Sequence, residues 1–328
     1  MNPRLEQKRG NQMRFFSITI FFMLYTLNWK AVEAQSWTPP AEVDRCPSQW
    51  GAGDERGSAN LMGPASVMRA AQLIRQGEVV ELGNVLHGAI PLGSRHFDLF
   101  PKPTSMNSLS NRRGSNEELV VTELGQVGTQ LDGFSHQSIG NTFYNCFPVD
   151  ETLTRGGFTH LGIENVPMLM TRGILLDIAE LKGVNMLAEN YEITVSDIQE
   201  ELARHDLSIE PGDAVIIHTG WGVLWELDVP RYLRGGPGIG VEAAEWLAAQ
   251  NPMIVGADNQ PVEVQPNPDP TLSLPVHQIM LVVNGIHLLE RLKLDELAER
   301  DVYEFAFVMQ PLKIQGATGS TVNPAIIY

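Results

Sequence analysis

The sequence predicts an α/β fold: a single mixed domain on a central β-sheet or barrel-like core with flanking helices. Two observations carry this. Strand-like and helix-like segments alternate through the second half of the chain, whereas the first half is richer in strands and loops. A chain of 328 residues, 43% of them apolar, can also bury a sizeable core without needing a second domain.

Taken in order, residues 35–62 form a Pro- and Gly-containing lead-in with Trp37 and Trp50. Residues 64–76 read as a helix, with Met68, Leu73 and Ile74 on its apolar side and Gly77 just past its end. Residues 79–85 are a strand candidate. Residues 89–116 are loop-like, rich in Pro, Ser and Asn, and their Phe97, Phe100 and Met106 either face a ligand or pin the loop to the body. Residues 117–124 read as a strand. In the second half, strands are expected at 173–178, 214–218, 253–256, 286–289 and 302–309. The last is the clearest, because Tyr303, Phe305 and Phe307 alternate against Glu304, Ala306 and Val308. Helices are expected at 196–205, opened by a capping box from Ser196 to Gln199, at 241–250, and at 277–283.

The net charge of −16 argues against binding nucleic acid or an anionic membrane through electrostatics. The N-terminus reads as a targeting segment, 1–34. Arg4, Lys8, Arg9 and Arg14 precede an apolar run, Phe15 to Leu27, that is short for a bilayer span, and Val32-Glu33-Ala34 is an acceptable cleavage site. This implies an exported chain, periplasmic or secreted, with 35–328 as the mature domain and no membrane attachment after cleavage. Removal of 1–34 takes away five basic and two acidic residues, leaving 18 basic minus 37 acidic, or −19. In an exported protein Cys46 and Cys146 can form a disulfide, or they stay as buried thiols; their spacing does not choose, and they make no metal-binding CxxC.

One stretch carries the chemistry: Gln126-Val127-Gly128-Thr129-Gln130-Leu131-Asp132-Gly133-Phe134-Ser135-His136. Gln130 and Asp132 are two apart, so an extended backbone points both to one side. His136 follows after a glycine that can bend the chain. His277 and Glu290 add N and O donors from a distant part of the sequence, which is how a closed fold assembles a divalent-metal site. Polar loop residues can also serve only their own backbone, and His277 can cap a helix start. Asp258 is a weaker candidate at a strand end, and His287 is expected to be packing or exposed.

These residues resemble the putative cyclase family of metal-dependent hydrolases, which includes bacterial kynurenine formamidase and isatin hydrolase. That family carries His-Xaa-Gly-Thr-His-Xaa-Asp-Xaa-Pro-Xaa-His, which Gln126 to His136 matches in Gly128, Thr129, Asp132 and His136. Further blocks occur in order: Arg172-Gly173 through Asp177, Gly212-Asp213 through Trp221, Val241 through Leu247, Gly256-Ala257-Asp258, and Gly316 through Ser320. The resemblance implies a swivelling β/β/α-like fold and metal ligands at Gln130 and Asp132. In two-zinc members it implies ligands also at His136, His277 and Glu290. The family's first two histidines are Gln126 and Gln130 here, and its Pro is Phe134. Amide oxygens are harder and weaker ligands than imidazole, so one Mn²⁺-like ion is favoured over a zinc pair, with Gln126 supporting the site by hydrogen bonding.

The function so implied is hydrolysis of an amide, lactam, lactone or ester of a small cyclic or aromatic substrate. Gln130, Asp132 and His277 hold the ion, His136, His277 and Glu290 handle protons, and Phe134 and Trp221 wall the substrate. A cyclase or dehydratase using the same ion is the second enzymatic reading. An exported binding protein that has lost turnover is the reading from another class. By analogy with its relatives the chain is expected to form a homo-oligomer, a dimer or tetramer.

Overall fold

The computed structural model describes residues 36–103 and 106–328; the expected targeting segment 1–34 lies outside them. Nine strands make one mixed sheet. From one edge to the other they run Val79–Glu81, Ala325–Ile327, Glu304–Met309, Leu169–Asp177, Ala214–His218, Ile254–Ala257, His287–Glu290, Gln130–Asp132 and Gly319–Thr321. The four strands from Leu169–Asp177 to His287–Glu290 are parallel, and the remaining pairings are antiparallel.

The central strands are continuous apolar runs because both sheet faces are covered. Side chains alternate between two cores. Ile174, Leu176, Val215, Ile217 and Val255 pack on one face with Ile198 and Leu202 of helix Val195–Arg204 and Ala244 and Leu247 of helix Val241–Ala249. Leu175, Ala214, Ile216, Ile254, Leu289, Phe305 and Phe307 pack on the other, against Ala59, Val80, Leu82 and Leu297. The mixed α/β expectation therefore holds, and the clear alternation expected at 302–309 is the strand Glu304–Met309.

Several local expectations shift. The segment expected as a loop at 89–116 contains a strand, Phe97–Pro103, paired antiparallel with Asn116–Thr122 from Phe97 opposite Thr122 to Pro103 opposite Asn116. Among the described residues this two-stranded hairpin joins no larger sheet, and Leu99, Phe100, Leu119, Val120 and Val121 on it are exposed. The strand before the chemical stretch is thus an exposed arm and does not form the floor of a site. Its β-branched run satisfies its backbone across one hairpin and needs no burial. Helix 64–76 ends earlier, at Ala71. The capping box of the 195–204 helix is built two residues upstream of the expected one. Thr194 Oγ1 accepts from the Asp197 N–H, and the Asp197 carboxylate accepts from the Thr194 N–H.

Cys46 and Cys146 are disulfide-bonded, a separation of 100 residues in sequence. The bond ties helix Glu42–Arg45 to the turn Tyr144–Cys146, so the lead-in segment is fastened to the body beneath Phe134 and Tyr144.

Candidate metal centre

Residues 126–136 enter the sheet as a three-residue strand, Gln130–Asp132, held between His287–Glu290 and Gly319–Thr321. Gln130 lies opposite Glu290, and Leu131 lies opposite Leu289. Strand alternation sends Leu131 into the hydrophobic core and Gln130 and Asp132 to the other side together, as their spacing predicts. Gly128 makes the approach possible. Its φ is 71°, and a Cβ there would sit 2.2 Å from Leu86 Cδ2.

Gln126 is the hub of the polar network. Its Nε2 lies 3.3 Å from Asp132 Oδ1 and 3.3 Å from His136 Nδ1. Its Oε1 accepts from Gln130 Nε2 at 3.3 Å and from Arg95 Nη2 at 3.2 Å. Gln130 Nε2 also lies 3.1 Å from Glu290 Oε2. Both amide nitrogens are therefore engaged. Two buried oxygens, Gln130 Oε1 and Asp132 Oδ2, have no hydrogen-bond partner among the described residues. Buried polar atoms normally find one, so an orphaned pair on neighbouring side chains points to a ligand that supplies it. Asp132, His136 and His277 each offer a ligand atom, and these atoms lie within 4.8 Å of one another. His277 Nε2 is 3.6 Å, and His136 Nε2 4.0 Å, from Asp132 Oδ2. This donor set fits a divalent cation. It also brings His136, expected as a proton-handling group, among the ligand atoms.

His277 sits at the end of a short helical turn, Pro275–His277, which continues as a wider π-helical turn, Gln278–Asn284. The helix thus begins two residues before the expected start. The residue that fixes it is Glu263, which the sequence reading missed. Its Oε1 lies 2.6 Å from His277 Nδ1 and accepts from the His277 N–H at 3.2 Å, while Oε2 accepts from the Val276 N–H at 3.3 Å. Glu263 is fully buried. A carboxylate on Nδ1 turns Nε2 toward Asp132 and Glu290, the arrangement that orients metal-binding imidazoles. No local spacing signals it, because Glu263 and His277 are brought together by the loop between them. Val262, Leu274 and Arg291 beside these groups hold φ of 64°, 50° and 58°. Left-handed backbone at a β-branched Val262 costs free energy that a rigid site can sustain.

The electrostatics follow from burial and pairing. Burial raises the Asp132 carboxyl above the usual carboxylate range, against the pull of His136. Burial opposes charge on His277, yet its hydrogen bonds to Glu263 and Glu290 outweigh it and hold the imidazole well above its ordinary value. Burial likewise pushes Glu290 up, but the hydrogen bond and charge of His277 bring it below the usual value. We expect Glu263→Gln to weaken divalent-metal affinity about 10–100-fold, the usual effect of losing a carboxylate that orients a ligand. Chelator competition measures this, and an unchanged affinity would show that His277 needs no such support.

Beside the donors opens a cavity of about 290 Å³, lined by His136, His277 and Glu290 together with Arg95, Tyr232, Leu274 and others. Phe134 and Trp221 do not line it, which corrects the expectation that they wall the substrate. Phe134 is 1% exposed and stacks on His287 at a centroid distance of 4.2 Å. The chain turns after Gly133, where the His136 N–H donates to the Gly133 carbonyl, and Phe134 is packed away beneath the site. Trp221 is completely buried with Ile90, Val127, Trp225 and Tyr232, under the guanidinium of Arg231.

The remaining candidates have structural roles. His287 is fully buried, its Nδ1 lies 3.0 Å from the Asp132 carbonyl, and burial lowers its pKa to about 4, so it is a neutral packing group. Asp258 accepts from the Thr219 N–H at 3.0 Å and the Gly222 N–H at 3.2 Å, tying two strand-end loops together outside the donor set. His218, which has no partner at a telling sequence spacing, meets Asp177 at 2.9 Å and Asp258 at 3.9 Å across parallel strand ends. Burial disfavours its charge, but the Asp177 and Asp258 carboxylates overcome this and raise it to about 9. A raised pKa means the folded state holds a proton that the unfolded chain loses. The contribution is complete below pH ~6.5 and is lost as pH rises through about 9. We expect stability to fall by roughly 3 kcal/mol across that interval, with His218→Gln flattening the dependence. Denaturant titrations at several pH values measure it, and an equal slope in the variant would remove His218 as the cause.

Residues 48–264 match the family model described as Putative cyclase. The match ends before His277 and Glu290, which only the tertiary structure joins to it. A crystal structure described as a novel cyclase is 32% identical, with a TM-score of 0.78, over 85% of this chain and 98% of that one. Isatin hydrolase A from Ralstonia solanacearum is 21% identical, with a TM-score of 0.55, over 76% of this chain and 92% of its own. Isatin hydrolase A from Labrenzia aggregata is 17% identical, with a TM-score of 0.57, over 78% and 94%. These last two show a likeness of fold. No curated protein matches the chain.

Proposed function

Because the chain belongs to the Putative cyclase family, we propose that it is a metal-dependent hydrolase of an amide, lactam, lactone or ester bond in a small cyclic or aromatic substrate. The observation that carries this reading is the pair of buried oxygens without partners, Gln130 Oε1 and Asp132 Oδ2, beside the ring nitrogens of His136 and His277. Gln130, Asp132 and His277 would hold a single divalent ion, with the His136 imidazole beside them. When bound, such an ion supplies an activated water and polarises the carbonyl under attack.

The chain's own groups do the rest. His136 is the most accessible of the donors, with its side chain 20% exposed, and it faces the cavity. It takes the proton from the attacking water and returns it to the leaving group. Glu290 has one oxygen on His277 and the other on Gln130, so it acts by holding those two side chains in register. The amide oxygen of Gln130, at a place where the family pattern has imidazole, favours Mn²⁺ over Zn²⁺ and one ion over two.

Metal analysis of the purified protein tests this, followed by a hydrolysis screen of cyclic amides, lactones and N-formyl aromatic amines with Mn²⁺ and with Zn²⁺. We expect about one equivalent of metal and faster turnover with Mn²⁺. Two tightly held zinc ions would refute the Gln130 argument, and no bound metal with no hydrolysis would refute the reading itself.

A further inference from the structure

The cavity wall is mainly cationic: among the described residues Arg95, Arg234 and Arg291 line it, with Glu290 as its one carboxylate. Arg291 is committed to structure, being 1% exposed and donating to the Gln126 carbonyl at 3.0 Å. Arg95 is not. It is half-buried, and among the described residues its guanidinium donates from Nη2 to Gln126 Oε1 at 3.2 Å. Among the described residues no carboxylate lies within ion-pairing distance of it. Burial and the neighbouring Arg291 depress its pKa more than the carboxylates of Glu290, Asp132 and Glu123 raise it. Arg234 stands at the rim, its side chain 61% exposed, with only a loose approach to Glu189 at 3.8 Å.

A neutral substrate would cover Arg95 and leave its guanidinium desolvated with no carboxylate in contact with it, which is costly. An anion would satisfy it, and the planar fork of a guanidinium matches a carboxylate best. We propose that Arg95, with Arg234 at the rim, forms a carboxylate subsite, and that the substrate is a small acid. Its hydrolysable carbonyl then reaches the Asp132, His136 and His277 group. The placement of that carbonyl rests on the hydrolase reading; the carboxylate subsite does not. Gln126 links the two ends, since it accepts from Arg95 and donates toward Asp132 and His136. Binding of the acid group thereby sets the distance from anchor to donors, and the cavity of about 290 Å³ limits the substrate to roughly one ring and its substituents.

Calorimetric binding of phenylacetate and of its neutral isostere phenylacetamide tests this, on the protein as purified and again after chelation. We expect saturable phenylacetate binding in both states, and phenylacetamide at least about 10-fold weaker. Arg95→Gln should weaken phenylacetate about 10–100-fold without changing phenylacetamide, and Arg95→Lys should restore part of the loss. Equal binding of the two probes, no phenylacetate binding, or wild-type phenylacetate affinity in Arg95→Gln would each overturn the subsite. Phenylacetate binding that vanishes on chelation and ignores Arg95→Gln would be contact with the ion and would overturn it too. Because the chelated protein is measured, a failure of the metal or hydrolase reading leaves this result legible.

Discussion

Asp132→Ala is expected to strip the protein of its divalent ion. Asp132 is the carboxylate donor whose Oδ2 has no hydrogen-bond partner among the described residues, and it lies within reach of both His136 and His277. Losing it should weaken metal binding by more than the ~10–100-fold of a supporting residue and take turnover with it. Elemental analysis after dialysis reads the first effect, and substrate hydrolysis the second. The variant should remain folded. Burial holds the Asp132 carboxyl above its ordinary pKa, so in the metal-free protein it is a cost to the fold, and a small apolar residue relieves that cost. The melting temperature of the metal-free variant should therefore equal or exceed that of the metal-free parent. Retained metal in a folded variant would move the ligand assignment away from Asp132.

His136→Ala separates proton transfer from metal binding. Asp132, His277 and Gln130 remain, so the ion should still bind, though more weakly, and saturating metal can restore occupancy. Turnover under those conditions should still fall by ~2–4 orders of magnitude, the scale of a lost general base. His136 is suited to that role because it alone of the two imidazoles is partly open to the cavity, while His277 is enclosed by Glu263, Glu290 and Asp132. Full activity at saturating metal would exclude His136 from proton transfer and leave Glu290 as the group to examine.

Local chemistry was legible wherever the backbone is regular. The two-residue spacing of Gln130 and Asp132 survives into the structure because strand alternation is a property of any extended chain. The apolar runs 173–178 and 214–218 read as strands, and both lie in a sheet covered on both faces, which leaves no room for polar alternation. Reading failed where a partner is supplied from a distance. The β-branched residues at 119–121 satisfy a hairpin arm whose other strand lies in a segment expected as loop. Phe134 lies within the chemical stretch and Trp221 just past a strand end, and aromatic identity does not reveal which side of a turn is packed.

The sequence by itself determined the donor types, their order and the alternation that puts Gln130 and Asp132 on one side of a strand. Only the tertiary structure decided the rest. It placed Glu263 on His277, left Gln130 Oε1 and Asp132 Oδ2 without partners among the described residues, paired Cys46 with Cys146, and set Arg95 on the cavity wall against Gln126. The reason is physical: hydrogen-bond satisfaction, burial and unpaired charge are properties of groups that meet in space. Here the meeting partners lie on loops and strands whose separation in sequence carries no period.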